Sequence, residues 1–545
     1  MEARVERLVR GWTGTADRRI MRHRAVMLCL LILCAATFAL GVPRLRIYGH
    51  DVFAALDGAW RVLNGQRPAV DFYAVKGPAW YLVMAVGVAL AHGNAAGLGY
   101  STALVAAVMS VWSFVILRRR METMPLLLAC IGLVLLAVAP FALGGAPYAT
   151  VFAMTYNRYG YALAGLVLLE CFLPFEDGDH RGGFFGGLSS GIGTALLLSL
   201  KISFGLVAVT LVAVSVIARR GERARMAGLA AGFALFAVPL LAYLHFDVFA
   251  LIRENRIVAA ARGSHLGAHI LLKSLFSTMY ESSLVFVLAL LTAALPGVVP
   301  RRRAILILVA ALTIMADLLL MSTNAQGQEL PLVAVVALLL VNEVTVMLRR
   351  PDAPAALHAA TLLGFGLLVV GTRIGFDAAG MGLALGDKLI RADAGYHLAP
   401  PHLAALSFYG VANEEMKNDN GEEFVGYTSE GFDLVRAQSR PGESVRGMGA
   451  TNPFSYGLLR PPSQGGAVDI DATDLSEQVV PPAAMLLGDV DLIMIPKFPA
   501  TERQAMEQVL SSYRDLLAEK YVLAAESTHW TLLRKRGNEL LESAR

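Results

Sequence analysis

The chain is divided into apolar segments long enough to cross a lipid bilayer, and this feature most restricts the fold. About twelve such segments recur between residues 25 and 375, and a spanning helix needs about 20 predominantly apolar residues. Within a bilayer, each backbone polar group must find its hydrogen-bond partner inside the protein, so apolar segments of this kind are helices. The sequence therefore predicts a polytopic α-helical membrane protein.

The character of the sequence changes after residue 375. Residues 376–545 are charged, contain proline and include no apolar run long enough to span. They are numerous enough to bury a core of their own, so we predict a soluble C-terminal α/β domain. Its predicted elements are strands 444–450, 489–496, 521–525 and 530–534, and an amphipathic helix 501–520 capped by Thr501.

Arginine clusters separate several apolar segments, and the positive-inside rule places such clusters in the cytoplasm. If every segment crossed the membrane, all four clusters would lie on the outer side, whereas the basic tail of residues 1–24 lies on the cytoplasmic side. Segment 79–91 is short for a span, and treating it as re-entrant or merged with its neighbour gives about eleven spans and removes the conflict. An undetected extra crossing, giving about thirteen, is the alternative. The clusters are residues 118–120, 219–225, 301–303 and 349–350.

Both alternatives predict the same location for the main parts. The protein is expected in a bacterial-type inner (plasma) membrane, with a cytoplasmic tail and an uncleaved first helix. Residues 25–375 form the transmembrane domain and residues 376–545 the extracytoplasmic domain.

A polar loop at residues 43–77 follows the first apolar segment and is several times longer than a usual connection. Long ordered loops often carry function, so we take it as the candidate active site. Asp51 is a candidate general base. Asp57 and Arg61 have the spacing of an ion pair on one helix face. Lys76 can bind a lipid phosphate, although a snorkelling lysine has the same sequence signature.

Other cations are expected on the same side of the membrane. Lys201 divides an apolar run and marks a helix end, and charges at such depths are functional candidates. Loop 247–283 has the apolar spacing of an interfacial amphipathic helix and carries Arg253 and Arg256. One of these arginines is expected to pair with a phosphate.

Two further polar pairs have less specific patterns. Asn157 and Arg158 open an apolar segment and need polar partners there, which a substrate or a structural network would equally supply. His265 and His269 are one helical turn apart, but no third ligand has a matching spacing. We therefore predict no metal-ligating residues. The use of a divalent cation stays open from the sequence, because no motif requires one.

The cysteines and the net charge exclude other classes of protein. All four cysteines lie in apolar segments, so the C-terminal domain has neither a disulfide framework nor a cysteine-based zinc site. The net charge of +4 is small for 545 residues and gives no indication of nucleic-acid binding.

Taken together, the loop motifs resemble the first outer loop of the GT-C glycosyltransferases, which include protein mannosyltransferases and lipid A aminoarabinose transferases. Asp51 corresponds to the first of two acids in that family, and Val52 stands at the position of the second. Lys76 corresponds to the lysine that contacts the donor phosphate in the aminoarabinose-transferase branch. The resemblance rests on His50-Asp51, residues 59–66, Pro68, Asp71-Phe72 and residues 76–81, with weaker similarity in residues 191–201 and 491–533.

The resemblance implies an inverting glycosyltransferase that moves a sugar from a polyprenyl-phosphate donor to an envelope glycan, lipid or protein acceptor on the outer membrane face. Asp51 would be the general base, and Lys76 with Arg253 or Arg256 would bind the donor phosphate. Residues expected to support this site are His50, Asp57, Arg61, Asn157, Arg158 and Lys201.

Two other functions remain open from the sequence. A transporter or flippase for a lipid-linked glycan would place polar groups at the membrane midplane and usually contain repeated halves. A non-catalytic subunit of an envelope-assembly machine would use the outer domain to bind glycan or protein.

Overall fold

A computed structural model describes residues 21–537 except for residues 22, 75, 174–179, 219–221, 264–267, 324–326, 328, 350–355, 391–394, 410–420, 471–478 and 498–502. The helices described in the membrane part are α1 (His23–Leu40), α2 (Val52–Leu63), α3 (Pro78–Leu90), α4 (Gly97–Leu117), α5 (Thr123–Val138), α6 (Thr155–Phe172), α7 (His180–Leu200), α8 (Ile202–Ala218), α9 (Arg223–Tyr243), α10 (Val248–Gly263), α11 (Ala268–Ser277), α12 (Met279–Ala294), α13 (Pro300–Thr323), α14 (Pro331–Leu348) and α15 (Ala356–Ile390).

The C-terminal part combines short helices with a small sheet. Its described elements are α16 (Gly421–Gln438), β1 (Val445–Gly447), α17 (Phe454–Gly457), α18 (Ala483–Leu486), β2 (Leu492–Pro496), α19 (Arg503–Ser512), α20 (Arg514–Lys520), β3 (Tyr521–Glu526) and β4 (Trp530–Lys535).

Many helices of the membrane part have the composition of membrane spans. Seven described helices are long and apolar enough to cross a bilayer, namely α1, α4, α7, α9, α13, α14 and α15. The apolar helices α3, α5, α8 and α12 are shorter. The prediction of a polytopic helical membrane protein with a C-terminal α/β domain is confirmed.

Four arginines that flank spanning segments lie together at one end of the helix bundle. Arg120 and Arg225 both pair with Glu170, at 2.9 and 2.7 Å. The other contacts at this end join Arg302 to Glu343 and to the Phe172 carbonyl, and Arg349 to Glu122. We call this the arginine end, and we call the opposite end, which carries the C-terminal domain, the domain end. The arginine clusters thus share one end of the bundle, as the topology prediction requires.

Helix α3 is the short segment on which the span count depends, and it folds back on the start of α4. The Ser101 hydroxyl donates to the Val83 carbonyl at 3.0 Å. A Cβ atom on Gly87 would lie 2.2 Å from the Gly97 carbonyl oxygen, so the two helices touch through their backbones. This close antiparallel packing requires small residues at the crossing.

Both ends of α3 lie at the domain end. Gly77, just before α3, touches the backbone at the end of α7. After α3, the Gly93 carbonyl accepts a hydrogen bond from the Tyr456 hydroxyl of the C-terminal domain at 2.7 Å. Helix α3 therefore adds no crossing, which favours eleven spans over thirteen.

Helix α15 extends beyond residue 375, where the sequence placed the domain boundary, and ends at Ile390. Its charged side chains have partners on neighbouring helices and loops. Asp377 pairs with Arg158 at 3.2 Å, and Asp387 pairs with Arg44 at 3.1 Å. Because these carboxylates are neutralised laterally, the helix continues through the charged stretch.

The C-terminal sheet has the strand order β1-β2-β4-β3. Strand β1 pairs with β2 in parallel, whereas β2 and β3 each pair with β4 in antiparallel. The predicted hairpin and both earlier strands are present. The predicted helix 501–520 is divided into α19 and α20, and its proposed cap, Thr501, lies outside the described residues.

Helix α2 is enclosed between the bundle and the C-terminal domain. The Phe53 ring packs against Phe424, with ring centroids 6.2 Å apart. The Trp60 indole N–H donates to the Arg460 carbonyl at 2.8 Å. The first polar loop is therefore part of the interface between the two domains.

Candidate functional site

The first polar loop is joined to the C-terminal domain through backbone hydrogen bonds. The Tyr73 N–H donates to the Gly466 carbonyl, and the Gly465 N–H donates to the Asp71 carbonyl, both at 3.0 Å. Gly465 and Gly466 have φ values of +70° and +82°, a region that favours glycine. This turn places residues 467–470 alongside the loop.

Lys76 is held by a carboxylate from the C-terminal domain. Its ammonium group pairs with Asp469, and the two side chains are only 17% and 11% exposed. Gly77 has a φ of +80°, and a Cβ atom there would lie 2.4 Å from the Ser199 carbonyl oxygen. Glycine therefore allows the chain after Lys76 to reach the end of α7.

Two of the cations predicted from the sequence meet at one aromatic ring. The Nζ atoms of Lys76 and Lys201 lie 5.7 and 5.2 Å from the ring centroid of Tyr156. Lys201 is buried at the junction of α7 and α8, and Tyr156 lies in the first turn of α6. The site thus combines a loop lysine, a helix-junction lysine and an aromatic face that can bind cations.

Asp51 lies at the start of α2, with its side chain 30% exposed and Oδ1 3.2 Å from Nε2 of His50. The His50 carbonyl accepts a hydrogen bond from the Thr451 hydroxyl at 2.9 Å. Thr451 in turn forms an antiparallel bridge with Asp469, the partner of Lys76. The same part of the C-terminal domain therefore contacts both Lys76 and the residue next to Asp51.

Asp57 and Arg61 form the ion pair that their spacing predicts, with Oδ2 and Nε 3.0 Å apart. Their side chains are 0% and 1% exposed. The Arg61 guanidinium also donates to the carbonyls of Ser463 and Gly465, at 3.0 and 2.9 Å. This pair fastens α2 to the C-terminal domain and has no open surface toward a substrate.

Arg158 is directed into the helix bundle, away from the lysines. It donates to the Phe141 carbonyl at 2.7 Å and pairs with Asp377 at 3.2 Å. Asn157 is fully buried, and neither polar atom of its amide has a hydrogen-bond partner among the residues that the structure describes. Nη2 of Arg158 also has no hydrogen-bond partner among the described residues, so both side chains retain unused hydrogen-bonding capacity.

Arg253 and Arg256 are exposed on α10, and a buried acid lies between them. Glu254 is 3% exposed, and its Oε1 accepts a hydrogen bond from the Ala74 N–H at 3.1 Å. Burial raises the pKa of Glu254 to about 8. Glu254 was missed from the sequence, although Ala250, Glu254 and Val258 recur at four-residue spacing on one helix face.

Asp469 and Tyr156 were also missed from the sequence. Tyr156 stands beside Asn157, which was selected, but an aromatic residue in an apolar segment is ordinarily a packing residue. Asp469 is the one polar residue in the short segment 467–470, which is otherwise apolar. Nothing local relates it to Lys76, 393 positions away.

No metal site is found within the described parts of the chain. No group of three or more potential ligands clusters there. The side chains of His265 and His269 fall outside the described residues. All four cysteines are free.

The fold and the site define a polytopic helical membrane protein in which the first loop and a C-terminal α/β domain enclose a cationic site. No protein-family model matches the sequence, and no curated protein matches it significantly. Among solved structures, the chain is similar to ArnT from Cupriavidus metallidurans in the apo state, with 15% identity over 93% of this chain and 97% of that chain and a TM-score of 0.48. For the same protein bound to undecaprenyl phosphate, the identity and coverage are identical and the TM-score is 0.45.

Proposed function

We propose that the protein is an inverting glycosyltransferase that uses a polyprenyl-phosphate sugar donor. The observation that carries this proposal is the convergence of Lys76 and Lys201 on Tyr156, whose ring centroid lies 5.7 and 5.2 Å from their Nζ atoms. Lys201 lies between two apolar helices and Lys76 directly precedes a third. Cations at the ends of apolar helices are suited to the phosphate of a lipid whose chain lies in the membrane.

The proposed reaction is a single displacement. Asp51 accepts the proton of an acceptor hydroxyl group, and the hydroxyl oxygen forms a bond to the anomeric carbon of the sugar. The bond from that carbon to the phosphate oxygen breaks, so the polyprenyl phosphate leaves with the electron pair and the anomeric configuration inverts. Lys76 and Lys201 stabilise the negative charge that develops on the leaving phosphate.

The surrounding residues have different proposed roles. Asp469 holds the Lys76 ammonium group in place before the donor arrives. Arg253 and Arg256 remain candidates for further phosphate contacts, because both are exposed on α10. The acceptor is an envelope glycan, lipid or protein on the predicted outer face, where the domain end lies.

The direct test uses purified protein in liposomes with a radiolabelled sugar on a polyprenyl-phosphate carrier and an envelope extract as acceptor. We expect label to move to the acceptor, and a Lys76→Ala/Lys201→Ala double variant to lose this activity. Matched Lys497→Ala should behave as wild type, since Lys497 lies in the C-terminal domain and pairs with Glu526.

Other outcomes would identify the alternative functions. Movement of the intact labelled lipid across the bilayer without transfer of sugar would indicate a transporter or flippase. Failure to bind or use any polyprenyl-phosphate donor would favour the non-catalytic subunit and overturn the proposal.

A further inference from the structure

Helix α10 has one face buried against the rest of the protein. Its buried residues are Ala250, Glu254, Val258 and Ala261, which recur at the spacing of one helical face. Val258 belongs to the same apolar cluster as Tyr73 of the first loop and Met448 of the C-terminal domain. Helix α10 is therefore packed against both partners that form the candidate site.

Glu254 is the acidic residue on this buried face. A carboxyl group is rarely buried unless a polar partner compensates for the loss of water. The partner here is the backbone N–H of Ala74, 3.1 Å from Oε1. Ala74 is itself buried, so without Glu254 this N–H would lack its acceptor in a place where water has little access.

The bond is close to the donor-binding part of the loop. Ala74 precedes Lys76 by two residues, and Gly77 beyond it is fixed against the end of α7. The backbone around Lys76 is thus held on one side by α10 and on the other by α7. Arg253, next to Glu254, is exposed on α10.

From this arrangement, and on the basis of the proposed function, we infer that Glu254 is a positioning residue for the donor phosphate. Its bond to Ala74 fixes the first loop against α10. It thereby sets Lys76 in register with the candidate phosphate ligands Arg253 and Arg256. Glu254 itself does not touch the phosphate, and its contribution to donor binding acts through the loop.

The inference is tested with three replacements of Glu254 in the full-length protein. Glu254→Gln keeps a carbonyl acceptor at the same place. Glu254→Met fills a similar volume without an acceptor, and Glu254→Ala provides a second variant that lacks the acceptor in case Glu254→Met does not fold. Asn255→Ala is the matched control, because Asn255 bonds only within α10, to the Leu251 carbonyl, among its described hydrogen bonds.

Two measurements separate the local effect from the functional one. Amide hydrogen exchange of the peptide that contains residues 72–77 reports whether the loop is held, and this readout requires no activity. The dissociation constant for undecaprenyl phosphate, measured by tryptophan fluorescence in detergent micelles, reports phosphate binding.

In Glu254→Met and Glu254→Ala we expect faster exchange, because an unsatisfied buried donor destabilises the loop at least roughly tenfold. We expect the dissociation constant to rise by up to the same roughly tenfold factor, because phosphate binding must then order the loop again. Glu254→Gln and Asn255→Ala should match wild type in both measurements.

Three outcomes would overturn the inference: unchanged loop exchange in the variants without an acceptor, faster exchange with unchanged undecaprenyl-phosphate binding, or a Glu254→Gln variant as impaired as Glu254→Met. If wild type itself does not bind undecaprenyl phosphate, the proposed function fails instead. The exchange data would still show whether Glu254 holds the loop.

Discussion

Lys76 and Asp469 form an ion pair that joins the first loop to the C-terminal domain across 393 positions of sequence. Both side chains are largely shielded from water, and a partly buried pair is screened less by salt than one on the surface. The C-terminal domain therefore supplies part of a site for which the sequence predicted residues of the membrane part only. This relationship makes the domain a contributor to the proposed donor site.

If Lys76 binds the phosphate of the proposed donor, Lys76→Ala should weaken binding of a polyprenyl phosphate by roughly ten- to a hundredfold, because one charge-assisted contact is lost. Lys201→Ala should have an effect of similar size, since the ammonium groups of both lysines lie against the Tyr156 ring. The measurement is the dissociation constant at low ionic strength, with Lys497→Ala as the control. Wild-type binding by both variants would show that these lysines only anchor helix ends.

Asp51→Asn keeps the size of the side chain but removes its ability to accept a proton. If Asp51 is the general base, the transfer rate should fall by about 10²- to 10⁴-fold while donor binding is retained. Single-turnover transfer assays with saturating donor measure this directly. Asp433→Asn, at an exposed surface position, is the control, and full transfer by Asp51→Asn would assign the base elsewhere.

Asp57→Asn should act mainly on stability, because it leaves the buried Arg61 guanidinium without its counter-charge. Breaking one side of a buried ion pair typically costs about 3–5 kcal/mol. We expect a lower thermal transition and faster proteolysis between the membrane part and the C-terminal domain. Asp71→Asn breaks the more exposed pair with Arg67 and should cost less. Equal stability losses in the two variants would contradict this explanation.

The buried carboxyl group of Glu254 should make stability depend on pH. Its pKa is about 8 in the folded protein against an ordinary value of 4.5. Between these values the folded state binds more protons than the unfolded state, so stability falls as the pH rises through this range. In this range the free energy of unfolding decreases by up to about 1.4 kcal/mol per pH unit.

Glu254→Gln removes this titration. Thermal unfolding measured from pH 5 to pH 9 should show a shallower decline than in wild type, with the variant the more stable protein at the alkaline end. Parallel curves for the two proteins would show that Glu254 is not the group responsible.

Reporter fusions test the sidedness predicted by the arginine clusters. Fusions after Arg120 or Arg303 should report the cytoplasm, and a fusion after Arg545 should report the outer compartment. The common position of the arginines at one end of the bundle motivates this prediction. A cytoplasmic C-terminus would place the proposed site on the wrong side for an outer-face acceptor.

The sequence alone predicted those features that depend on neighbouring residues. The apolar segments predicted the helices because hydrophobic length and backbone hydrogen bonding leave few other structures in a membrane. The Asp57–Arg61 pair followed from four-residue spacing on one helix. The hairpin of β3 and β4 followed from two apolar runs separated by a short turn.

Only the tertiary structure related residues that are distant in the chain. It paired Lys76 with Asp469, placed Glu254 against Ala74 and directed Arg158 toward Asp377. It also carried α15 beyond the predicted domain boundary. Each of these results depends on a partner supplied by another element, because a buried charge persists only where the fold brings it a counter-charge or a hydrogen bond. No local pattern of residues specifies which distant element will provide that partner.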